Sequence, residues 1–362
     1  MRAILLLGGL GTRLRPFTLA KPKPLLPILD RPMIAWQVER LRRFGVREVV
    51  LALGYGAAHF RRSLGTGRAW GVRFIYSLES EPLGTGGAIR LASKHVQGPT
   101  LVLNGDILSD LDLAAFAAFH RRQKADATLS LVAVPDPSAF GVVETAADGR
   151  VKSFLEKPAP GTTKADTINA GCYLFEPSIF SEIPEGRPVS VEREVFPALV
   201  RGGRRLFGLR HGGYWLDVGT LETYLGSHAD LLKGNSMRSR PGARRLRKGL
   251  WAAPGARVHP SAVVKGHVYL GPKCRVEEGA VLEGFVCAGA GTVIGEKASV
   301  SDSVLHARVR VGAGAKVAGS LVGEGASLGA NCQVQGMAVA PGSAWGDYSR
   351  SFSCLDKPSR NG

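Results

Sequence analysis

The sequence predicts an α/β domain with a mixed, mostly parallel sheet, followed by a parallel β-helix of six-residue repeats. Two observations support this fold class. Apolar strand-like segments alternate with helical periods through the first half of the 362 residues, which is typical of a sheet covered by helices on both faces. In the second half, aliphatic residues recur at steps of six, the period of a hexapeptide β-helix.

The first half of the chain can be assigned element by element. A doubly buried strand over 4–7 ends in glycines, and strands follow over 48–53, 72–76 and 100–103. Helical periods lie between them, over 33–44, 57–64, 85–95 and 113–123. Ligands bind at the carboxyl ends of strands in such sheets. We therefore expect the residues that follow the strands over 4–7 and 100–103 to converge.

From residue 127 the pattern changes to successive strands, over 128–134, 141–145, 150–155 and 168–175. Asp148-Gly149 predicts a hairpin turn between two of them. This region is interpreted as the antiparallel part of the same sheet. A helix over 191–200 that is interrupted at Pro197, a short strand over 214–217 and a helix over 221–232 close the domain.

The six-residue repeat occupies residues 256–340. Small residues follow most of its aliphatic positions after four steps, which predicts aliphatic side chains inside each triangular coil and small ones at its corners. Breaks near His306 and Gly319 predict bulges or skipped residues. The part after Pro341 has no pattern and is predicted to be a loosely ordered tail over 341–362. The aliphatic positions are Val258, Val264, Leu270, Val276, Leu282, Ile294, Val300, Val311, Val317, Val322, Leu328 and Val334.

The net charge of +17 is large, and it is compatible either with nucleic acid or with anionic small substrates. The densest basic run, 238–248, holds six basic residues in eleven and is interrupted by Pro241 and Gly242. Because no aromatic residue lies between these charges, we interpret residues 236–255 as a basic linker and expect no nucleic-acid partner.

The chain has five cysteines without CxxC spacing, which favours a reducing compartment over a disulfide or zinc framework. No apolar run reaches eighteen residues, so no membrane span is expected. The apolar start of the chain runs into glycines and has no small-residue cleavage site after it. We therefore predict a cytoplasmic protein without a membrane partner.

The residues after the first strand form a glycine-rich loop with a basic flank. Glycine permits positive φ and lets backbone N–H groups approach phosphate oxygens closely. The loop lacks the third glycine of a dinucleotide fingerprint, and the chain has no Gly-Lys-Ser/Thr of a Walker loop. A tight strand-to-helix turn is the structural alternative. The loop and its flank contain Gly8, Gly9, Gly11, Thr12, Arg13, Arg15, Lys21 and Lys23.

The pattern Gly-Gly-x-Gly-Thr-Arg-Leu-x-Pro-x-Thr-x-x-x-Pro-Lys, from Gly8 to Lys23, resembles the signature of nucleoside-diphosphate-sugar pyrophosphorylases, also called sugar-1-phosphate nucleotidylyltransferases. The resemblance implies a Rossmann-like nucleotidyltransferase domain over 1–235 and a left-handed parallel β-helix after it. It implies that Arg13 stabilises the departing pyrophosphate and that Lys23 contacts phosphate. The implied nucleotide-binding residues are Leu7, Gly8, Gly9, Gly11, Thr12, Arg13, Lys23, Glu79, Gly84, Thr85 and Asp106.

Two aspartates resemble the metal ligands of this family. Asp106 follows a buried strand in Leu-Asn-Gly-Asp, and Asp217 lies in Trp-Leu-Asp-Val-Gly. Two carboxylates that share one Mg²⁺ with waters and phosphate oxygens suit that ion. The structural alternatives are a loop cap at Asp106 and the N-cap of the last helix at Asp217.

The resemblance also implies a sugar-phosphate site. In Phe-Leu-Glu-Lys-Pro, Glu156 would bind sugar hydroxyls and Lys157 the sugar phosphate, with Lys157 counted as catalytic beside Arg13, Lys23 and Asp106. Asn169 and Gly171 match a sugar-contacting strand, and Gly141 matches another contact. The family more often has Tyr before that glycine, and the Phe140 found here lacks the hydroxyl.

Glu79 is a candidate for reading the base. In uridylyl and thymidylyl relatives a Gln stands four residues before the Leu that is Leu83 here. A carboxylate only accepts hydrogen bonds, so Glu79 suits the N1–H and N2–H₂ donors of guanine and favours GTP. The alternative is a solvated loop carboxylate, with backbone groups choosing the base.

The sequence thus predicts a Mg²⁺-dependent transferase that makes an NDP-sugar and pyrophosphate, and the segments over 189–197 and 213–219 resemble the mannose-1-phosphate guanylyltransferase branch. Glucose 1-phosphate with UTP or dTTP is the alternative within the class. A catalytically silent regulatory homologue would be expected to lack motif residues that this chain keeps. The β-helix is expected to mediate homo-oligomer assembly. His259, His267 and His306 are candidates by residue type alone for a second, acyl-transfer activity.

Overall fold

The computed structural model describes residues 1–54, 56–159, 161–163, 165–234 and 243–353. Packing divides the chain into two compact units, Met1–Leu10 with Ile34–Trp215 and Gly11–Met33 with Leu216–Gly362. The packing therefore divides the chain at other points than the domain boundary predicted at residue 235. In the parts of the chain that can be described, no helix is long and apolar enough to cross a membrane.

The first unit is built on one mixed sheet whose centre is parallel. Arg2–Leu6 pairs in parallel with both Glu48–Leu53 and Thr100–Asn104, and Arg73–Leu78 pairs in parallel with Glu48–Leu53. Thr167–Phe175 joins Thr100–Asn104 in antiparallel fashion and begins the antiparallel half. That half also contains Ala127–Ala133, Gly141–Thr145, Val151–Glu156 and Leu206–Arg210, the last of which pairs in parallel with Ala127–Ala133. A short strand, Ile107–Ser109, follows Thr100–Asn104 along the chain.

Helices connect the strands of this sheet at nearly the predicted bounds. One prediction needs correction: residues 191–200 are not a single interrupted helix, because Val191–Val195 is a π-helix and only Phe196–Arg201 is α-helical. Pro197 lies in the first turn of the α-helix, where its missing N–H costs nothing. The α-helices of this unit are Met33–Arg43, Ala57–Leu64, Gly84–Ala92, Leu113–Arg122, Pro177–Ser181 and Phe196–Arg201.

The sheet register confirms that two candidate segments emerge side by side. Leu6 and Asn104 are partners at the carboxyl ends of neighbouring parallel strands. The N–H of Gly105 donates to the carbonyl of Leu6 at 2.8 Å. A Cβ at Gly105 would lie 2.3 Å from Leu7 Cδ2 and 2.6 Å from the Leu6 carbonyl oxygen, so only glycine fits. Gly8 and Asp106 therefore leave the same edge of the sheet.

The second unit contains a stack of parallel strands, here called the strand stack (Leu250–Phe352). Val258 pairs with Val276 and Val276 with Ile294, so the register advances by eighteen residues. From Ile294, which pairs with Val311, the step is seventeen, as the predicted skipped residues require. The predicted aliphatic positions form a buried core together with the small residues that follow them. The strands are Leu250–Ala252, Arg257–Val258, Val263–Leu270, Arg275–Val276, Val281–Ala288, Val293–Ile294, Ser299–Leu305, Arg310–Val311, Lys316–Ala318, Leu321–Val322, Ser327–Leu328, Gln333–Gln335, Ala338–Val339, Ala344–Trp345 and Arg350–Phe352.

Both ends of the strand stack extend beyond the repeat read from the sequence. The described part of the predicted linker forms the antiparallel pair Arg244–Arg247 and Leu250–Ala252, and the second of these pairs in parallel with Val263–Leu270. Burial of Leu250 and Trp251 explains why this segment is structured. The predicted tail contains two paired strands, up to Phe352. Residues 235–242 and 354–362, the rest of the predicted linker and tail, lie outside the described residues.

The remaining parts of the second unit are an N-terminal arm (Gly11–Met33, hereafter the arm) and a long helix (Leu221–Lys233). The arm has three single-turn 3₁₀ helices, Thr12–Leu14, Phe17–Leu19 and Lys23–Leu25, and a hairpin of Pro27–Ile28 with Arg31–Pro32. The long helix packs on the strand stack at Val263–Leu270, Val281–Ala288 and Ser299–Leu305. Trp215–Asp217 is a strand that leads toward this helix.

Candidate active site

The loop after the first strand presents backbone donors. Leu7 is buried, and its N–H donates to the Ala52 carbonyl at 3.0 Å. Gly8 and Gly9 are exposed, and Gly9 has φ 107°, a conformation that strongly favours glycine. Within the described residues, the N–H groups of residues 8–10 have no hydrogen-bond acceptor. These donors are therefore available to an anion, as a phosphate loop requires.

The loop continues into the arm, where further backbone N–H groups are without an acceptor in the described part of the chain. Gly11 has φ 59°, and its carbonyl accepts from the Thr18 hydroxyl at 2.8 Å. A Cβ at Gly11 would lie 3.1 Å from both Thr18 Cγ2 and Lys23 Cβ, so the arm folds tightly on itself here. Thr12 and Arg13 are exposed at the start of the first 3₁₀ helix. Their N–H groups also have no acceptor in the described part of the chain.

Asp217 pairs with one cation of the arm, Lys23, and a second cation, Arg13, lies nearby. The Lys23 side chain is buried, and its Nζ lies 3.9 Å from Asp217 Oδ1. A Cβ at Gly219 would lie 3.1 Å from Arg13 Nη2 and 3.3 Å from Asp217 Oδ1. Gly219 thus leaves room for the Arg13 guanidinium beside the Asp217 carboxylate. The sequence did not predict Gly219 as a site residue, and the available signal was its place two residues after Asp217.

Asp217 does not cap the last helix. The N-cap of Leu221–Lys233 is Thr220, whose hydroxyl accepts from the Thr223 N–H at 3.2 Å in a capping box. The structural alternative that the sequence left open for Asp217 is therefore wrong, because a hydroxyl three residues later satisfies the helix end.

Asp106 lies in a turn that is held from below by a buried glutamine. Gln37 is 3% exposed, and its Nε2 donates to the carbonyls of Asn104 and Ile107 at 2.7 and 2.8 Å. These two bonds fix the backbone on either side of Asp106. Gln37 was not predicted from the sequence. The available signal was a polar amide side chain among the apolar residues that face the core in the helix Met33–Arg43.

The candidate sugar residues lie on the antiparallel half of the sheet. Glu156 pairs with Gly141, and a Cβ at Gly141 would lie 2.8 Å from Glu156 Oε2. Gly141 therefore leaves room for that carboxylate. Lys157 has φ 47° and is exposed, and its N–H donates to the Phe140 carbonyl at 2.9 Å. The chain leaves strand geometry at Lys157, which frees this lysine from strict alternation with Glu156.

Asn169 shapes a bulge in its own strand. Its Oδ1 accepts from the Gly171 N–H at 3.0 Å, and its Nδ2 donates to the Tyr173 hydroxyl at 2.8 Å. Gly171 has φ 70°, and a Cβ there would lie 2.4 Å from Ile107 Cδ1. The Asn169 amide keeps one N–H and one lone pair for a ligand hydroxyl. Gly171 serves close packing on Ile107.

A second carboxylate accompanies Glu156. Burial raises the pKa of Glu156, and the charge of Glu192 raises it further. Glu192 accepts from the Thr85 hydroxyl at 2.7 Å and from the Ser190 hydroxyl at 2.9 Å. The Thr85 hydroxyl also accepts from the Val191 N–H at 2.9 Å. Because the Thr85 hydroxyl already donates to Glu192 and accepts from Val191, its backbone is the part of Thr85 that can contact a nucleotide.

Comparison with known proteins identifies the family. A model described as nucleotidyl transferase matches residues 2–234, and one described as GMPPB C-terminal domain matches residues 264–344. The chain belongs to the nucleotidyl transferase family.

Curated relatives resemble this nucleotidyl transferase over most of its length. Mannose-1-phosphate guanylyltransferase of Mycobacterium tuberculosis is 43% identical over 276 residues, which cover 75% of this chain and 76% of the relative. Probable mannose-1-phosphate guanylyltransferase 3 of Oryza sativa is 39% identical over 278 residues, 75% of each chain.

Solved structures also match. A putative glucose-1-phosphate thymidylyltransferase from Bacillus anthracis, in complex with a sucrose, has TM-score 0.60 and 26% identity and covers 66% of this chain and 97% of its own. HddC from Yersinia pseudotuberculosis, complexed with GMP-PN, has TM-score 0.55 and 29% identity and covers 64% and 99%.

Glu79 of this nucleotidyl transferase holds the start of a helix. Its Oε2 accepts from the Leu83 N–H at 2.9 Å, just before Gly84–Ala92. Gly84 has φ 67°, and a Cβ there would lie 2.5 Å from the Val189 carbonyl oxygen. One Glu79 oxygen is thus used internally, and Oε1 remains the candidate acceptor for a base.

The donor chemistry of the predicted metal ligands fits magnesium. Asp106 and Asp217 supply carboxylate oxygens, and Mg²⁺ usually takes one or two carboxylates with waters and phosphate oxygens. Among the described residues of the transferase, no group of three or more His, Cys, Asp or Glu side chains could hold a metal.

Proposed function

We propose that the protein is a mannose-1-phosphate guanylyltransferase that condenses mannose 1-phosphate with GTP to give GDP-mannose and pyrophosphate. One observation carries the proposal. The N–H groups of residues 8–13 have no acceptor in the described chain, and the segment leads into Arg13 and the buried Lys23. Such an array suits a polyphosphate. The names of the curated relatives support the choice of GTP and mannose 1-phosphate.

The reaction needs no nucleophile from the protein. An oxygen of the sugar phosphate attacks the α-phosphorus of the nucleotide, the bond to the bridging oxygen breaks, and pyrophosphate leaves with the electron pair. Catalysis therefore consists of alignment and charge stabilisation. In this proposal the loop holds the triphosphate, and Arg13 and Lys23 stabilise the charge that develops on the departing pyrophosphate.

The sugar phosphate is assigned to the antiparallel half of the sheet. Lys157 neutralises its phosphate, and Glu156 and Asn169 bind its hydroxyls. The Glu156 carboxylate accepts hydrogen bonds, which suits the donor side of a sugar hydroxyl. Gly141 supports this role because it leaves space for the Glu156 carboxylate.

Magnesium is the proposed cofactor, held by Asp106 and Asp217. When bound, the ion supplies positive charge for the phosphate oxygens. Asp217 lies close to both cations of the arm, so its negative charge also orients Lys23. Gln37 holds the turn that carries Asp106.

The alternative within the class is glucose 1-phosphate with UTP or dTTP. It is favoured by the name of the Bacillus anthracis structure and by the use of one Glu79 oxygen at Leu83, which leaves base choice partly to other groups. A silent regulatory homologue is disfavoured because Arg13, Lys23 and Asp217 lie together. The strand stack is proposed to be a left-handed hexapeptide β-helix through which the protein self-associates in the cytoplasm.

A grid of nucleoside triphosphates against sugar 1-phosphates, with pyrophosphate release as the readout, tests the proposal. We expect Mg²⁺-dependent turnover that is fastest with GTP and mannose 1-phosphate. Glu79→Gln keeps an acceptor for the Leu83 N–H and removes the charge, so the preference for GTP over UTP is expected to fall about tenfold, the size of one lost base contact. No turnover with any pair contradicts the enzyme, and an unchanged ranking in the variant contradicts base reading by Glu79.

A further inference from the structure

The arm that carries Arg13 and Lys23 has too little regular secondary structure to be stable by itself. It consists of single-turn 3₁₀ helices and a hairpin with two residues in each strand. Short segments of this kind are marginal without outside contacts. Contacts from the rest of the second unit must therefore fix it, and an error of about 1 Å in a substrate-positioning group can cost about a hundredfold in rate.

We propose that Tyr224 of the long helix and His306 of the strand stack are positioning residues for pyrophosphate, because together they fix the arm on both sides of Lys23. The inference rests on the proposed function, and it assigns to the C-terminal part of the chain a role in the chemistry of the phosphate loop.

The first contact is a hydrogen-bonded chain. The Tyr224 hydroxyl is bonded to the Pro27 carbonyl, and it lies 3.0 Å from His306 Nε2. Pro27 can only accept, and a phenol has one proton to give. The Tyr224 proton therefore goes to Pro27, and His306 must donate through Nε2–H to the Tyr224 oxygen. This fixes one tautomer of a neutral imidazole.

The second contact is apolar and involves Phe17, which precedes Lys23 in the sequence. The Phe17 ring centroid is 5.2 Å from that of His306 and 6.4 Å from that of Tyr224. Tyr224 is fully buried and His306 is 5% exposed. Phe17 precedes Lys23 in the arm and Pro27 follows it, so the same pair of side chains fixes both flanks of the lysine.

Other anchors hold the rest of the arm. His228 Nδ1 accepts from the Leu29 N–H at 3.2 Å, the Tyr269 hydroxyl donates to Asp30, and Lys21 Nζ lies 3.2 Å from Glu324 Oε2. These contacts lie at residues 21 and 29–30 of the arm. Tyr224 and His306 differ from them because they reach both Phe17 and Pro27.

The proposal predicts a selective defect. Arg13 and Lys23 serve the pyrophosphate, whereas the proposed sugar residues Glu156 and Asn169 lie on strands of the first unit. Loss of the Tyr224 hydroxyl removes the bond to Pro27 and leaves the His306 N–H unsatisfied. A displaced arm should weaken pyrophosphate binding and leave sugar-phosphate binding unchanged.

The test uses the full-length protein with Tyr224→Phe, His306→Leu and His306→Gln. Calorimetric titration with pyrophosphate and Mg²⁺ is expected to give a Kd raised about tenfold by Tyr224→Phe and by His306→Leu, equal to about 1.4 kcal/mol. His306→Gln keeps an N–H donor near the Nε2 position and is expected to bind nearly as the wild type. In turnover assays, the KM for pyrophosphate in the reverse direction should rise likewise, with the KM for sugar 1-phosphate within about twofold.

Val317→Ala is the matched control, since Val317 lies in the buried core of the strand stack. It should lower the melting temperature without changing the Kd for pyrophosphate. If Tyr224→Phe lowers the melting temperature and leaves the Kd for pyrophosphate unchanged, the pair is only structural and the proposal fails. If the wild type binds pyrophosphate but turns over no substrate pair, the proposed function fails, and the Kd values of the variants alone decide the positioning role.

Discussion

At the scale of single residues, the lack of a side chain at Gly219 leaves space for the Arg13 guanidinium. A Cβ at position 219 would lie 3.1 Å from Arg13 Nη2 and 3.3 Å from Asp217 Oδ1. We predict that Gly219→Ala lowers kcat about tenfold, because the methyl group moves the guanidinium away from its place beside Asp217. The measurement is steady-state pyrophosphate release.

Gly226 offers a matched control for that substitution. It lies within the long helix, and a Cβ there would meet nothing within 4 Å. Gly226→Ala is expected to stabilise the protein by about 0.5–1 kcal/mol, the helix preference of alanine over glycine, with unchanged kcat. Equal kcat for both variants would show that the space beside Arg13 is irrelevant to catalysis.

Sequence reasoning could propose candidate side chains because the residue types themselves are informative. A glycine loop with a following Arg and Lys predicts anion binding, and the structure gives the loop unpaired N–H groups within the described residues. Gln37 and Gly219 were not predicted. Their function depends on which side chain lies opposite them in space, and this is not encoded in local spacing.

At the scale of elements, periodicity was a good guide wherever an element is regular. Most predicted strands and helices of the first unit lie within two residues of their observed bounds, whereas Ile107–Ser109, Pro177–Ser181 and Leu206–Arg210 were not predicted. The six-residue period gave the core of the strand stack. The segments at Arg244–Arg247 and Arg350–Phe352 were missed, because strands of three or four residues at the ends of a stack are formed by pairing and show little pattern of their own.

Two buried histidines, His228 of the long helix and His306 of the strand stack, make the second unit sensitive to acid. Burial lowers the pKa of His306 to about 4, and the charge of Lys21 lowers it further, while Glu324 opposes the shift. Burial and the charge of His306 lower the pKa of His228 to about 3. The unfolded chain would take up these protons near pH 6.5, the usual value for histidine.

We therefore predict that the free energy of unfolding falls as the pH is lowered from 6.5 to 4, by about 1.4 kcal/mol per pH unit for each histidine. Above pH 6.5 both states are neutral, and these groups contribute no pH dependence. Urea unfolding at a series of pH values measures the slope. His306→Gln should remove its share of the slope, and an identical slope in that variant would contradict the assignment.

At the scale of the whole molecule, the family and the packing divide the chain in different ways. The nucleotidyl transferase model matches residues 2–234 as one block. In the structure, residues 11–33 of that block belong to the compact unit that also contains the strand stack. The sequence could not predict this, because the contacts join residues about two hundred or more positions apart, as between Leu29 and His228 or Asp30 and Tyr269.

This division predicts that the first 234 residues do not suffice for activity. A fragment that ends at Gly234 keeps the strands of the first unit and the long helix, but the arm loses His306, Tyr269, Glu324 and the buried surface around them. Loss of several buried contacts at once should leave Arg13 and Lys23 unpositioned, so we expect pyrophosphate release to fall at least about a hundredfold. Circular dichroism should still report strand and helix content from the first unit.

The control is a chain that ends at Ser353, which keeps every described contact of the arm and should turn over as the full chain does. Wild-type turnover by the shorter fragment would show that the strand stack contributes nothing to the phosphate loop.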